Sequence, residues 1–174
     1  LIVSNAQKHK NNPEFIDDMV DTVSNSVNRM TNLMIQLRSG TRQTEQSDVE
    51  LAELLKIVLA ECRLRNPIPE LVQVDGEFTL TCDRERLQTV FEHLVQNAQE
   101  ATGKGGHVAV RLLGSHGSAV VELEDNGIGM HEHFIQHRLF KPFDSTKGLT
   151  GMGIGAFESR EFIRSLGGNI SVQS

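Results

Sequence analysis

The first stretch whose residue types could take part in chemistry is VELEDNGIGMHEH at positions 121–133, where an acidic residue is followed by two closely spaced glycines. Asp125 ends an alternating run of apolar and polar residues, which is the pattern of a strand with one buried face. Asn and Gly accept positive φ, and an Asp side chain can bond its own turn, so a tight hairpin turn is one interpretation. The other is a carboxylate placed beside backbone that a ligand can approach closely.

A second polar set lies on a helix predicted from Asp83 to Ala101. His93, Asn97 and Glu100 recur at i, i+4 and i+7, so they share one face of that helix. Alone, such a face is typical of a solvent-exposed helix surface. If another element covers that flank, the three side chains point at it together.

Three alternate glycines precede the last predicted helix in GLTGMGIGAFESREFIRSLGG. Gly151, Gly153 and Gly155 leave bare backbone amides near the positive end of a helix, which favours phosphate. The spacing is not that of a P-loop, because no Gly-Lys-Ser/Thr follows. Nor is it a dinucleotide fingerprint, because no strand leads into the turn. A flexible glycine-rich loop is an equal alternative for this segment alone.

Composition and charge exclude several classes of protein. The 174 residues are 38% hydrophobic and 23% charged, as in globular proteins, and no apolar run approaches the ~20 residues of a membrane span. A net charge of −6 argues against nucleic acid as a partner. Cys62 and Cys82 match no metal or disulfide spacing, which favours a reducing, cytoplasmic location.

The elements that must position these residues form two predicted modules. Apolar residues from Pro13 to about Arg38 follow a heptad spacing, which predicts a long bundle helix entered from a hairpin tip at KHKNNP. We therefore expect residues 1–40 to be the second part of a helical hairpin and residues 41–47 to be a linker. Because one hairpin leaves a face open, a homodimer through the bundle is expected.

Residues 48–174 are predicted to form an α+β module. Ser47 and Glu50 have the spacing of a capping box for its first helix, and Asp83 is the expected cap of the second. A further helix is predicted from Gly155 to Leu166. Short alternating runs predict strands at 71–74, 78–81, 107–113, 119–124 and 169–172.

In this order the segments resemble the nucleotide-binding module shared by sensor histidine kinases, type II topoisomerases, Hsp90-type chaperones and mismatch-repair ATPases. FEHLVQNAQEA is similar to the N box, EDNGIGM to the first glycine box, LFKPFDSTK to the F box and GMGIG to the second glycine box. The resemblance covers roughly residues 48–174. It implies a two-layer α/β sandwich, with three helices on one face of a mixed sheet and ATP between the helices and a lid.

LFKPF and the heptad helix are similar to the sensor histidine kinases, and GMGIGAFESREFIRSLGG resembles those of the PEP-CTERM/exosortase system. The resemblance implies transfer of the γ-phosphate of Mg-ATP to a bundle histidine, for relay to an aspartate of a response regulator. It implies a dimeric cytoplasmic core, with anchoring in the bacterial inner membrane only through upstream regions. His9 lacks the acidic neighbour of the family's acceptor motif, so the acceptor is expected upstream of Leu1, and the family's third glycine box and final strand are expected after Ser174.

The resemblance also implies roles for residues at matching positions. Asp125 would accept a hydrogen bond from the adenine amine, with Gly127 and Gly129 letting the base approach, and Asn97 would supply an oxygen to Mg²⁺. Lys147, and less directly Lys141, would place positive charge near the γ-phosphate. The remaining nucleotide-binding candidates are Phe140 and Phe143, taken as lid anchors, with Thr146, Gly151, Gly153, Ile154 and Gly155.

Position 93 departs from the water-splitting members of the superfamily, which carry a glutamate four residues before the metal asparagine. His93 takes that place, and Glu92 lies about 100° around the helix. The resemblance therefore favours phosphoryl transfer over ATP hydrolysis, with Glu92, His93 and Lys147 as catalytic candidates.

Three alternatives stay open at this point: an ATP-hydrolysing relative, a serine kinase of the anti-sigma type, and a non-catalytic dimerisation and docking module. His93 weakens the first, the bundle helix weakens the second, and the intact boxes weaken the third. His131, His133 and His137 are interpreted as part of a polar lid rather than a metal site.

Overall fold

A computed structural model describes residues 45–142 and 154–174, together with positions 16, 19, 20, 22–24, 27 and 30. The chain divides into two compact units, Leu1–Thr44 and Glu45–Ser174. The described positions of the first unit are helical. The rest of the predicted hairpin and most of the predicted linker lie outside the described residues.

The second unit contains both helices and strands, with two pairs of consecutive strands, which confirms the predicted α+β class. They are β1 (Gln46–Glu50), α1 (Leu51–Cys62), β2 (Pro69–Val74), β3 (Thr79–Asp83), α2 (Arg84–Ala101), β4 (Val108–Ser115), β5 (Ser118–Asp125), α3 (Glu132–His137) and α4 (Gly155–Ser165). No helix in these described parts is both long and apolar enough to cross a membrane.

The strands form two sheets. β1 and β3 pair antiparallel, while β2, β4 and β5 form a mixed sheet in which β2 runs parallel and β5 antiparallel to the central β4. The hairpin between β4 and β5 turns through His116 and Gly117, with φ of 48° and 81°. Positive φ at both positions suits a two-residue turn whose twist matches that of the strands.

The core lies where three helices cover the strands. α2 packs between α1 and α4 and against β5, while α1 also packs against β2. Burying each large apolar side chain contributes roughly 1.5–3 kcal/mol. The largest fully buried side chains include Leu51, Leu54, Leu55, Val58, Leu87, Val95, Val110 and Leu112.

The start of α1 differs from the prediction. Ser47 lies inside β1, so it does not cap the helix. Glu50 is the cap, and its carboxylate accepts hydrogen bonds from the amides of Ala52 at 3.1 Å and Glu53 at 2.6 Å. Because β1 runs directly into α1, the capping group must sit at their junction. The predicted cap of α2 is confirmed, since Asp83 Oδ1 accepts a first-turn amide at 3.1 Å.

The strand predicted at residues 169–172 is wrong, because residues 169–174 have no regular secondary structure. Its alternating pattern is a local signal, whereas a strand also needs a neighbour for its backbone hydrogen bonds. None of the described strands pairs with this segment.

Candidate functional site

Asp125 stands at the carboxyl end of β5 and begins an Asx turn. Its Oδ1 accepts a hydrogen bond from the Gly127 amide at 2.9 Å. The next described element is α3, so Asp125 ends a strand and does not open a hairpin. The carboxylate is exposed to solvent, where a ligand amine can reach it.

Gly127 is needed for space. A Cβ at this position would lie 2.5 Å from the carbonyl oxygen of Ala101, the last residue of α2. The same carbonyl accepts a hydrogen bond from the Ile128 amide at 3.1 Å. Gly129 is needed for conformation instead, because its φ of 68° lies in the left-handed region. The loop after β5 is thereby fixed against the end of α2.

Thr102 joins this arrangement, and sequence reasoning missed it. Its buried hydroxyl lies 2.7 Å from the Ala98 carbonyl oxygen and 3.4 Å from Asp125 Oδ1. Thr102 is the C-cap residue of α2 and opens the polar, glycine-rich stretch TGKGG, which resembles an ordinary loop. The one sequence signal for Thr102 was its position, four residues after Ala98 of the N box, from which a hydroxyl can bond the Ala98 carbonyl.

Asn126, between the aspartate and the glycine, holds the loop from its other side. Its side-chain oxygen accepts a hydrogen bond from the His107 amide at 2.8 Å, and its own amide donates to the His107 carbonyl at 3.4 Å. A Cβ on Gly106 would lie 2.5 Å from Asn126 Oδ1 and would collide with the methyl group of Thr102. The loop before β4 therefore packs closely on the site.

The predicted polar face of α2 divides in the structure. His93 is half-buried, and a Cβ on Gly155 would lie 3.4 Å from its Nδ1, so His93 meets the start of α4. Asn97 is exposed one turn further along α2. Glu100 accepts a hydrogen bond from Arg65 at 3.3 Å, which draws it toward the loop after α1.

Glu92 lies on a different side of α2 from His93. The Gln88 amide nitrogen donates to Glu92 Oε1 at 2.8 Å and to Glu61 Oε2 at 3.1 Å. Because Glu61 belongs to α1, these bonds place Glu92 on the α1 side of the helix. The structure therefore separates the two adjacent acid–base candidates.

The N-cap residue of α4 does not cap this helix with its side chain. Gly155 is its first residue, and Ile154 at the N-cap position makes no capping hydrogen bond with its side chain. The first-turn amides of this helix are therefore not satisfied by a side chain of the N-cap residue. Of the other candidates near this helix, Phe143, Thr146, Lys147, Gly151 and Gly153 lie outside the described residues.

Phe140 packs against α4 through Arg160, a residue that sequence reasoning did not select. The guanidinium carbon lies 4.5 Å from the centre of the Phe140 ring, and Nη2 donates to the Phe140 carbonyl at 3.4 Å. A guanidinium over an aromatic face is an attractive cation–π arrangement. Lys141, the next residue, is exposed.

The histidines after the first glycine box do not form a metal cluster. His133 and His137 have ring centres 4.7 Å apart, while His131 Nδ1 accepts the His133 amide at 3.2 Å. Within the described parts of the chain, no three His, Cys, Asp or Glu side chains are grouped to hold a metal ion.

The cysteines are buried free thiols on the predicted helix and strand. Burial raises the pKa of the Cys62 thiol, and the nearby carboxylate of Glu92 raises it further. Burial also raises the pKa of Cys82. Both thiols therefore stay protonated and unreactive near neutral pH.

Comparison with known families gives one match over more than half of the chain. The profile described as Histidine kinase-, DNA gyrase B-, and HSP90-like ATPase matches residues 82–174. This range contains α2, β5 and α4, and hence all four sequence boxes.

Two curated relatives are bacterial sensor proteins. The C4-dicarboxylate transport sensor protein DctB of Rhizobium meliloti is 36% identical over 94 residues, which cover 53% of this chain and 15% of DctB. The alginate biosynthesis sensor protein KinB of Pseudomonas aeruginosa is 28% identical over 168 residues, which cover 90% of this chain and 28% of KinB. The chain thus spans less than a third of the length of either relative.

Solved structures with the same fold include the histidine kinase ThkA. Its catalytic domain in a nucleotide-free form gives a TM-score of 0.60 at 29% identity, covering 70% of this chain and 81% of that domain. ThkA in complex with the response regulator protein TrrA gives a TM-score of 0.58 at 23% identity, covering 95% of this chain and 49% of ThkA.

Proposed function

This chain belongs to the histidine kinase-, DNA gyrase B-, and HSP90-like ATPase family and contains the ATP-binding core of a sensor histidine kinase, and we propose that it binds Mg-ATP for transfer of the γ-phosphate to a protein histidine. In this transfer the acceptor imidazole nitrogen bonds to the γ-phosphorus as the bond to the bridging oxygen breaks, which leaves ADP. The product would then pass its phosphate to an aspartate of a response regulator.

The observation that carries the proposal is that α2 meets two of the sequence boxes at once. Its last turn holds Asp125 and Gly127 through Thr102 and Ala101, and its His93 faces the first residue of α4, where an added Cβ would lie 3.4 Å from His93 Nδ1. These segments are far apart in sequence, so their meeting is a property of the fold. Helix α2 thus links an exposed carboxylate to the start of α4, where the N-cap residue Ile154 makes no capping bond with its side chain.

The residues at these places fit an adenine nucleotide. Asp125 offers an exposed carboxylate oxygen to the adenine amine, and Gly127 and Gly129 leave the adjoining backbone free of side chains. Asn97 offers an amide oxygen, which is a ligand that Mg²⁺ accepts. When bound, Mg²⁺ would offset part of the negative charge of the phosphates. The start of α4 provides amides and a positive dipole for the phosphates. The other proposed contacts, from Phe140 through Ile154, come from the F box and second glycine box.

His93 is better placed for the chemistry than Glu92. His93 meets the start of α4, whereas Glu92 is bonded to Gln88 on the α1 side. An imidazole near the phosphates can donate a hydrogen bond, but it is not the carboxylate that activates water in the hydrolysing relatives. We therefore propose phosphoryl transfer in preference to hydrolysis, with Lys147 supplying positive charge near the γ-phosphate.

The assignment of the parts follows from the same proposal. Residues 1–40 would be the second part of the dimerisation and histidine-phosphotransfer hairpin. A short linker would join them to the ATP-binding domain. The last two residues of the predicted linker, 46 and 47, belong to strand β1. In the first unit, the apolar residues Val20, Val23, Val27 and Met30 are 45–66% exposed, which suits burial in a homodimeric bundle. The acceptor histidine, the subfamily and a membrane anchor upstream stay predictions.

Response regulators are the proposed protein partners. ThkA has the fold of this chain, and its complex with the response regulator protein TrrA supports response regulators as the class of partner. The net charge of −6 continues to argue against nucleic acid.

Calorimetric titration with a non-hydrolysable ATP analogue tests the proposal. Asp125→Ala should weaken Mg-dependent binding at least tenfold, because a hydrogen bond to a charged group contributes about 1.5–3 kcal/mol. Asn97→Ala should abolish the dependence on Mg²⁺. Asp75→Ala is the matched control, since Asp75 is another exposed aspartate at the end of a strand, and its carboxylate accepts a hydrogen bond from the Gln73 side chain at 2.6 Å.

The outcomes separate the competing functions. Binding that Asp125→Ala weakens and Asp75→Ala leaves intact supports the nucleotide site, and phosphotransfer to an added bundle helix carrying histidine then tests the kinase. Release of inorganic phosphate without protein phosphorylation would support an ATP-hydrolysing relative. An absence of nucleotide binding by the wild type would favour a docking module.

A further inference from the structure

The Asp125 carboxylate is held by the protein through one oxygen. Among the described residues, the two donors to this group are the Gly127 amide at 2.9 Å and the Thr102 hydroxyl at 3.4 Å, and both reach Oδ1. Oδ1 accepts the Gly127 amide and also has the Thr102 hydroxyl within reach, which leaves it less capacity for a ligand donor than Oδ2 has. The arrangement therefore leaves Oδ2 as the oxygen that meets a ligand amine.

The Thr102 side chain has one defined orientation. Its methyl group packs against Gly106, where even an added Cβ would collide, so rotation about χ1 is blocked on that side. Its hydroxyl faces the Ala98 carbonyl at 2.7 Å and Asp125 Oδ1 at 3.4 Å. Thr102 is buried, so water does not replace either acceptor readily.

The hydroxyl has a single proton for two acceptors. In this structure the shorter bond goes to the helix carbonyl and the longer one goes to the carboxylate. A negatively charged acceptor binds a donor more strongly than a neutral carbonyl does. A small movement of the Asp125 side chain toward Thr102 would therefore shift the proton toward the carboxylate.

We propose that Thr102 is a positioning residue for base recognition, which fixes the Asp125 carboxylate so that Oδ2 faces the exocyclic amine of adenine. This inference rests on the proposed function. Thr102 does not touch the nucleotide; it acts through Asp125. Without its hydroxyl the carboxylate is held by the Gly127 amide alone and rotates more freely, which lowers the affinity for a base that donates a hydrogen bond.

The test compares Thr102→Val with Thr102→Ser. Valine keeps the branched shape that packs on Gly106 but has no hydroxyl, whereas serine keeps the hydroxyl. Thr102→Val should weaken Mg-ATP binding about three- to tenfold, the range for one hydrogen bond, and Thr102→Ser should stay within about twofold of the wild type. Isothermal calorimetry at constant Mg²⁺ measures both.

A base without the amine distinguishes positioning from a structural effect. Purine riboside triphosphate has the same phosphates and sugar as ATP but lacks the 6-amino group. Thr102→Val should leave its affinity within about twofold, and in an Asp125→Ala background Thr102→Val should no longer change the affinity for ATP. An equal loss of affinity for both nucleotides would overturn the inference in favour of a structural role.

Thr89→Val is the matched control on the same helix. The Thr89 hydroxyl also bonds the carbonyl four residues earlier, Glu85 O at 2.9 Å, but Thr89 is exposed and this bond goes to a backbone carbonyl, not to a carboxylate. This variant should bind both nucleotides like the wild type. A loss of ATP affinity in Thr89→Val equal to that in Thr102→Val would overturn the specific role of Thr102.

The experiment also separates this inference from the proposed function. ATP binding that falls with Asp125→Ala but not with Thr102→Val overturns the positioning role alone. No binding of either nucleotide by the wild type overturns both. A selective loss in Thr102→Val, restored by serine, supports both together.

Discussion

The two ends of the proposed nucleotide site are built differently. At the end of β5, the Asn126 side chain bonds the His107 amide at 2.8 Å, Asp125 lies within reach of Thr102, and Gly127 packs where an added Cβ would collide with Ala101. At the start of α4, the N-cap residue Ile154 makes no capping bond with its side chain, and a Cβ added to Gly155 would meet His93 only at ordinary van der Waals distance. Among the described residues, side chains hold the loop at the first end, whereas the N-cap residue of the second end provides no capping bond.

This difference suggests a division of labour. A base is recognised by direction, so the acceptor that meets it gains from a fixed orientation. Phosphates are recognised by charge and by several amides at once, which tolerates variation in exact position. Substitutions should therefore cost more at the end of β5 than at the start of α4.

The largest effect is expected for Gly127→Ala. The new Cβ would lie 2.5 Å from the Ala101 carbonyl oxygen, so the loop must move away from α2. We expect a loss of about 1–3 kcal/mol in the free energy of unfolding and ATP binding weakened at least tenfold. Urea denaturation and calorimetry measure these changes. Gly103→Ala is the control, because an added Cβ there has nothing within 4 Å. Equal behaviour of the two variants would contradict the described packing.

A smaller effect of opposite sign is expected for Gly155→Ala. The new Cβ would lie 3.4 Å from His93 Nδ1, an ordinary contact, and alanine favours a helix over glycine by up to about 1 kcal/mol. The free energy of unfolding should stay the same or rise slightly, with ATP affinity within about threefold. Destabilisation as large as that of Gly127→Ala would remove the contrast between the two ends.

The smallest effect is expected from the ion pair next to Asp125, at the end of β5 where the adenine base would bind. Arg111 lies 2.7 Å from Glu124, and its hydrogen bond and charge lower the pKa of Glu124 from the ordinary 4.5. A lowered pKa means that this pair stabilises the fold at neutral pH, and the contribution is lost as pH falls through the lowered pKa. Because the pair is exposed, Arg111→Gln should change the melting temperature little at pH 7 and reduce its dependence on pH below 4.5 only slightly. A large loss of ATP affinity in this variant would show that charge, rather than packing, holds the Asp125 loop in place.

Much of the fold was predictable because its signals are local. The alternating runs that predict β4 and β5, and the Asp83 cap of α2, depend on residues close together in sequence. The start of α1 was predicted wrongly at the same level, because Ser47 has the right spacing for a cap but belongs to a strand. Its pairing with β3 lies outside any local pattern. The strand predicted at 169–172 failed for the same reason.

The candidate site also contains features that local patterns predict and features that depend on the tertiary structure. His93 and Asn97 share a helix face by periodicity, which the sequence states directly. The bond from Gln88 to Glu61, and the bond from Arg65 to Glu100, depend on how α1 and the loop after it lie beside α2. Local spacing alone gives no information on which neighbour captures a carboxylate.

The sequence by itself determined the family boxes. Each box is a short run of residues whose types follow from the hydrogen bonds and backbone angles of one turn or one helix. Asp125 with its Asx turn and the glycines at 127 and 129 are of this kind. Only the tertiary structure decided that Thr102 stands against Asp125 and that Gly127 is needed for space beside Ala101. The physical reason is that periodicity and turn chemistry act over a few residues, whereas close packing selects contacts between surfaces that the chain brings together from far apart.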